Sequence, residues 1–124
     1  MAEALDKFGE FVVANLRDTI IDRADMLLAA HRKTPGLQAL QADLGRFTED
    51  QRAVVRRCLV AAADGGLHDF LFALQEQHDT GGGIAVLVDG QPVAELSDGL
   101  QGEPYGERGW YARFSKHRPR PGSA

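Results

Sequence analysis

Leu5, Phe8, Val12, Leu16, Ile20, Ala24, Leu27 and His31 recur at three- and four-residue steps. At 100° per residue they share one stripe, so the spacing predicts a long helix over 4–31, broken at most once. Lys33-Thr34-Pro35-Gly36 stops it, because proline cannot continue a helix and glycine suits the turn. A short helix follows at 37–45, with Leu37, Leu40 and Leu44 inward. Thr48 and Gln51 have the spacing of a capping box and open a third helix, which Asp64-Gly65-Gly66 is expected to end. A fourth, 67–79, is apolar almost all round from Phe70 to Leu74, so it belongs at the centre of the fold. Phe70, Leu71 and Leu74 should be among its most buried residues.

After Gly81-Gly82-Gly83 the pattern changes. Ile84 to Val88 is a short β-branched run, Asp89-Gly90 is a two-residue hairpin turn, and Gln91 to Leu96 is the return strand. That register sets Pro92 opposite Leu87, with the missing N–H at a sheet edge. A third strand is expected at 110–115. The fold class is therefore α+β: about four N-terminal helices on a small C-terminal antiparallel sheet of two or three strands. Residues 1–118 form one domain and 119–124 a flexible tail.

Composition adds exclusions. No apolar run approaches the ~20 residues that span a bilayer. The N-terminus has no apolar stretch of the signal-peptide kind, and the single cysteine, Cys58, precludes an intrachain disulfide. A cytoplasmic location is the expectation. Cys58 reads as a small core residue. Arg23 falls inside the apolar stripe, so it calls for a buried carboxylate partner, which the acidic 58–107 block can supply.

Charge changes the picture most. Residues 1–57 carry nine Lys/Arg and nine Asp/Glu, whereas residues 58–107 carry nine acids and no Lys or Arg. Five bases and no acid follow in 108–124. Such a block is either an acidic face that steers a basic partner, or a face neutralised by the adjoining Arg108, Arg113, Lys116 and Arg118. It disfavours nucleic acid as a direct ligand of that face.

The loop 97–109, SDGLQGEPYGERG, is long for a small domain and rich in glycine. Asp98, Glu103, Tyr105, Glu107 and the adjoining Trp110 are its candidate binding residues. His68 and His78 are ten residues apart and cannot share an ion on an unbroken helix, so no metal or cofactor is expected. Asp18, Asp22 and Asp25 share one helix face, read as solvated. No catalytic nucleophile–base pair stands out.

GLHDFLFALQE at 66–76, LVDGQPVAELSDGL at 87–100 and GWYARFS at 109–115 resemble a family of small bacterial single-domain proteins of unknown function. The resemblance implies a bacterial protein and transfers no site. Three readings follow. The first is a non-enzymatic protein that binds a basic protein partner through its acidic C-terminal surface, as a toxin-neutralising immunity protein would. The second is a small-ligand or metal-dependent enzyme with a pocket between helix 67–79 and loop 97–109. The third is a structural homodimer.

Overall fold

The first helix changes pitch after Val12 in the computed structural model, which describes residues 3–119. α1 (Glu3–Val12) passes through a π-helical turn at Val13–Arg17 and continues as α2 (Asp18–Leu28). The π turn adds one residue, so every later position is rotated. Val13, Arg17 and Ile21 are buried, whereas Leu16 and Ile20, which periodicity placed inward, face solvent. The same rotation corrects Arg23: it is exposed, and Arg17 holds the buried charged position. α2 ends at Leu28, where His31 N–H donates to the Met26 carbonyl and Ala30 takes φ 58°.

α3 (Pro35–Leu44) starts with proline in its first turn, where an N–H would be unpaired anyway. The Gln41 side chain ties it back to the chain by accepting from Arg32 N–H and donating to the Arg32 carbonyl, both at 2.8 Å.

α4 (Glu49–Asp79) opens with the Thr48–Gln51 capping box. The two helices expected at 48–79 are one, because Gly65 and Gly66 keep helical backbone. Each glycine costs about 1 kcal/mol relative to alanine. Packing on both sides offsets that: Asp64 grips Arg17, and Leu67, Leu71 and Leu74 enter the core. The real stop lies at Gly81 (φ 72°), with Gly82 N–H donating to the Gln77 carbonyl and Gly81 N–H to the His78 carbonyl. That is a Schellman closure, which needs a left-handed residue.

The hairpin has the expected register. β1 (Leu87–Val88) pairs antiparallel with β2 (Gln91–Pro92), Leu87 opposite Pro92, through a turn with Asp89 at φ 51° and Gly90 at φ 79°. The strands are shorter than expected, because the return chain coils into a 3-10 turn at Val93–Leu96 and buries Val93 and Ala94. The third strand is not formed. Residues 110–114 make a short helix, α5 (Trp110–Phe114). Neighbouring Trp110 and Tyr111 are both buried, which the alternating faces of a one-sided strand forbid. The result is an α+β fold of helices with a two-stranded antiparallel sheet.

The core gathers Leu5, Phe8 and Val13, the second half of α4, Val93, Leu100, Trp110 and Tyr111. Leu71 and Leu74 lie in it as expected, but Phe70 is 57% exposed, because the inward face of α4 runs through 67, 71 and 74. Cys58 is exposed, not core. Apart from Pro119, the tail assigned to 119–124 lies outside the described residues.

Candidate functional site

Backbone and side-chain hydrogen bonds hold the loop 97–109 in one shape. Ser97 Oγ donates to Glu103 Oε2 at 2.6 Å and accepts from Gly99 N–H at 3.0 Å, closing the loop at its base. Leu100 plugs the space against α4, and its N–H donates to Gln75 Oε1 at 3.0 Å. Gln75 is itself buried and donates to the Ala94 carbonyl at 3.2 Å, so one amide joins α4, the 3-10 turn and the loop. Trp110 N–H donates to the Glu103 carbonyl and Tyr111 N–H to the Pro104 carbonyl. Gly109 packs against the Tyr105 and Pro104 carbonyls so tightly that a Cβ would overlap them.

Four of the five candidate residues lie on the outside of this loop. Asp98, Glu103 and Tyr105 line an open depression of about 520 Å³ together with Gln101 and Arg108, and Glu107 is exposed beside it. The depression is walled by loop residues alone, because Leu100 fills the contact with α4. Trp110 is the exception. It has no exposed surface and stands edge-on to Phe8 at 5.9 Å, so it supports the loop from below and cannot touch a partner. Tyr105 packs edge-on to Tyr111 at 5.6 Å. Burial, then the Asp64 charge, raise the Tyr105 pKa, with Arg17 opposing.

The basic segment that follows goes elsewhere. Arg113 pairs with Asp6 at 2.9 Å and Lys116 with Asp22 at 2.6 Å. His117 Nε2 lies 2.7 Å from the same Asp22 carboxylate. Asp18 is buried and accepts from Ser115 Oγ at 2.6 Å and Lys116 N–H at 3.1 Å. The face of Asp18 and Asp22 is therefore a docking site for residues 115–117 and not a solvated one. Lys116, first by hydrogen bond, and His117 hold the Asp22 carboxyl below its ordinary pKa. Asp25 pairs instead with Arg56 at 2.6 Å.

Arg17 organises the same corner. Its Nε donates to Asp64 Oδ1 at 2.6 Å, its Nη1 donates to Ser115 Oγ and the His117 carbonyl, and its guanidinium stacks 4.1 Å over the Tyr111 ring. Sequence reasoning missed this cluster. The sequence carries no signal for it, because the stripe through Val12, Leu16 and Ile20 fits an unbroken helix equally well.

On the other flank of α4 an apolar groove of about 390 Å³ runs between Phe11, Leu16, Phe70 and Val86. Phe70 and Gln75 lie about 140° apart around the helix, so groove and loop are on different sides. Among the described residues no three His, Cys, Asp or Glu side chains converge as metal ligands, and no helix is long and apolar enough to cross a membrane. No protein-family model matches the chain, and neither a curated protein nor a solved structure matches it.

Proposed function

We propose that the protein is a non-enzymatic binding protein whose acidic loop surface engages a basic protein partner. The observation that carries this reading is that the two bases of 108–118 that make ion pairs among the described residues make them away from the loop acids. Arg113 and Lys116 pair with Asp6 and Asp22 of the first helices. Asp98, Glu95 and Glu107 stay exposed, and none makes an ion pair among the described residues. Among the described residues, Lys and Arg neutralise this block only at Asp64, through Arg17, and at Asp89, through Lys7. The remaining negative field is of the kind that speeds encounter with a positive partner.

The rigid loop supports the reading as well. A surface held by Ser97, Gln75 and two backbone bonds to α5 loses little conformational entropy on binding. A toxin-neutralising immunity protein in a bacterial cytoplasm is one concrete form, on analogy of charge and size. The test is capture of partners from the native lysate, followed by association kinetics of the captured protein at several salt concentrations. A partner with net positive charge, and an association rate that falls as salt rises, agree with the proposal. A partner that binds at a rate independent of salt opposes it.

A further inference from the structure

The loop depression offers more than negative charge. Asp98, Gln101, Glu103, Tyr105 and Arg108 line it, with glycines between them, and about 520 Å³ stays open. That is enough room for one long side chain. Ser97 Oγ donates to Glu103 Oε2 at 2.6 Å and so fixes the carboxylate, while Glu103 Oε1 accepts from no protein group among the described residues. Asp98 is exposed and makes no ion pair among them. Tyr105 is 45% exposed, and buried Tyr111 backs its ring edge-on at 5.6 Å.

Gln101 points to a donor from outside. Its Oε1 is shielded from solvent and has no hydrogen-bond partner. A buried polar atom left without a partner is unfavourable. No bond pins this oxygen, so the amide can turn toward an N–H that enters the depression. Fixed acceptors beside an aromatic ring suit a flat cation with several donors. The arginine guanidinium is planar and weakly hydrated, carries five N–H donors and stacks on aromatic faces. The lysine ammonium is compact and strongly hydrated, which an open depression does little to offset. The one opposing group is Arg108, whose exposed side chain makes no ion pair among the described residues.

We infer that the depression receives an arginine side chain of the basic partner, with its guanidinium set between the Glu103 carboxylate and the Tyr105 ring. The inference rests on the proposed function and adds the residue type that is seated. The loop acids then govern how fast the partners meet, and Tyr105 and Gln101 govern how long they stay together.

Titration of the isotope-labelled full chain with acetyl-Gly-Arg-Gly-amide, and with the matching lysine peptide, tests this without the partner. The arginine peptide should shift the amide resonances of Gly99, Gln101, Gly102 and Gly109. It should bind about two- to fivefold more tightly than the lysine peptide, the size of an exposed cation–π contact. Tyr105→Leu should erase the preference, and Tyr105→Phe, which keeps the ring, should retain it. Arg108→Gln should tighten both peptides by removing a like charge, and this exposed position keeps the test open should Tyr105→Leu unfold. Equal affinity for the two peptides overturns the inference, as do shifts confined to residues outside the loop. So does a preference that survives in folded Tyr105→Leu, or binding unchanged by Arg108→Gln. With the captured partner, Tyr105→Leu should speed dissociation and leave the salt dependence of association as it is, because no charge changes. Wild-type dissociation together with salt-dependent association would remove the arginine and leave the proposed function standing. Association independent of salt would oppose the proposed function, whereas the peptide titration reads the depression by itself.

Discussion

Arg17 and Asp64 form a two-pronged ion pair, Nε to Oδ1 at 2.6 Å and Nη2 to Oδ2 at 3.3 Å, across 47 residues of sequence. The Arg17 side chain is 2% exposed and the Asp64 side chain 25%. It joins the π turn to the middle of α4, and through Ser115 and the His117 carbonyl it also anchors the C-terminal segment.

Removing one partner leaves a buried charge, which costs more than the pair contributes. Asp64→Ala should lower the unfolding free energy by about 3–5 kcal/mol. Arg17→Met with Asp64→Leu should recover part of it, because no unpaired charge remains although the bonds of Arg17 to Ser115 and the His117 carbonyl are lost. Urea denaturation at pH 7 measures both. A loss under about 1 kcal/mol for Asp64→Ala would place the pair among ordinary surface bridges.

Tyr111 predicts an alkaline signature. Its ring is buried under the Arg17 guanidinium, and its hydroxyl lies beside the Asp64 carboxylate without a well-aligned hydrogen bond to it. Burial first, then Asp64, push its pKa far above the ordinary value of 10. The unfolded chain therefore ionises first, so stability holds below pH ~10 and falls above it by about 1.4 kcal/mol per pH unit. Tyr111→Phe should leave stability at pH 7 unchanged or slightly raised, since an unsatisfied hydroxyl is removed. It should also flatten the fall above pH 10, leaving the share due to Tyr105. Stability curves of both proteins from pH 7 to 11 decide it; a steep loss for Tyr111→Phe at pH 7 would mean that the hydroxyl is bonded in solution.

Gly9 lies against the Trp110 indole, and a Cβ there would overlap the ring. Gly9→Ala should therefore cost about 1–3 kcal/mol by overpacking, despite alanine's better helix propensity. Trp110 is the only tryptophan, so a red-shifted emission should accompany the loss. A stabilised Gly9→Ala protein with unshifted emission would contradict the packing.

Local chemistry was legible where one residue type has one conformational use. The Thr48–Gln51 box and the Asp89-Gly90 turn stand where the sequence puts them, and so does the Leu87–Pro92 register. Two failures share a cause. At Gly65-Gly66 and at WYARF, tertiary packing outweighed local preference: Leu67, Leu71 and Trp110 gain more from burial than the backbone loses. The π turn was illegible for a different reason. A stripe drawn at 100° per residue fits Val12, Leu16 and Ile20 as well as it fits any helix, and only the burial of Val13, Arg17 and Ile21 reveals the extra residue.

The same holds for the candidate site. Asp98, Glu103 and Tyr105 meet at one depression because glycines let the loop turn back on itself. Trp110 was misplaced because aromatic residues look alike in sequence whether they support a surface or form it.

Acid should loosen the C-terminal latch. Lys116 and His117 hold the Asp22 carboxyl below its ordinary value. A depressed carboxylate contributes its stability fully above about pH 4, and loses it as pH falls through the lowered folded value. Asp22→Asn should remove that part of the acid transition and leave the melt at pH 7 lower than wild type. Thermal melts between pH 2 and 7 check this; identical acid limbs in the two proteins would detach residues 116–117 from α2.

The central claim is that the acids of the loop are free to act outward: Arg113 and Lys116 are engaged by Asp6 and Asp22, and Arg108, in the same depression, makes no ion pair among the described residues. Replacing Asp98 by Asn with Glu103 and Glu107 by Gln tests it. Glutamine at 103 can still accept from Ser97 Oγ, so the loop keeps its closure. The decisive measurement is stopped-flow association of the captured basic partner with wild type and with this triple variant across a salt series, alongside melts of both. The account predicts slower association and a flatter salt dependence for the variant, with a melting temperature within a degree or so of wild type. A destabilised variant whose association kinetics match wild type at every salt concentration would contradict it.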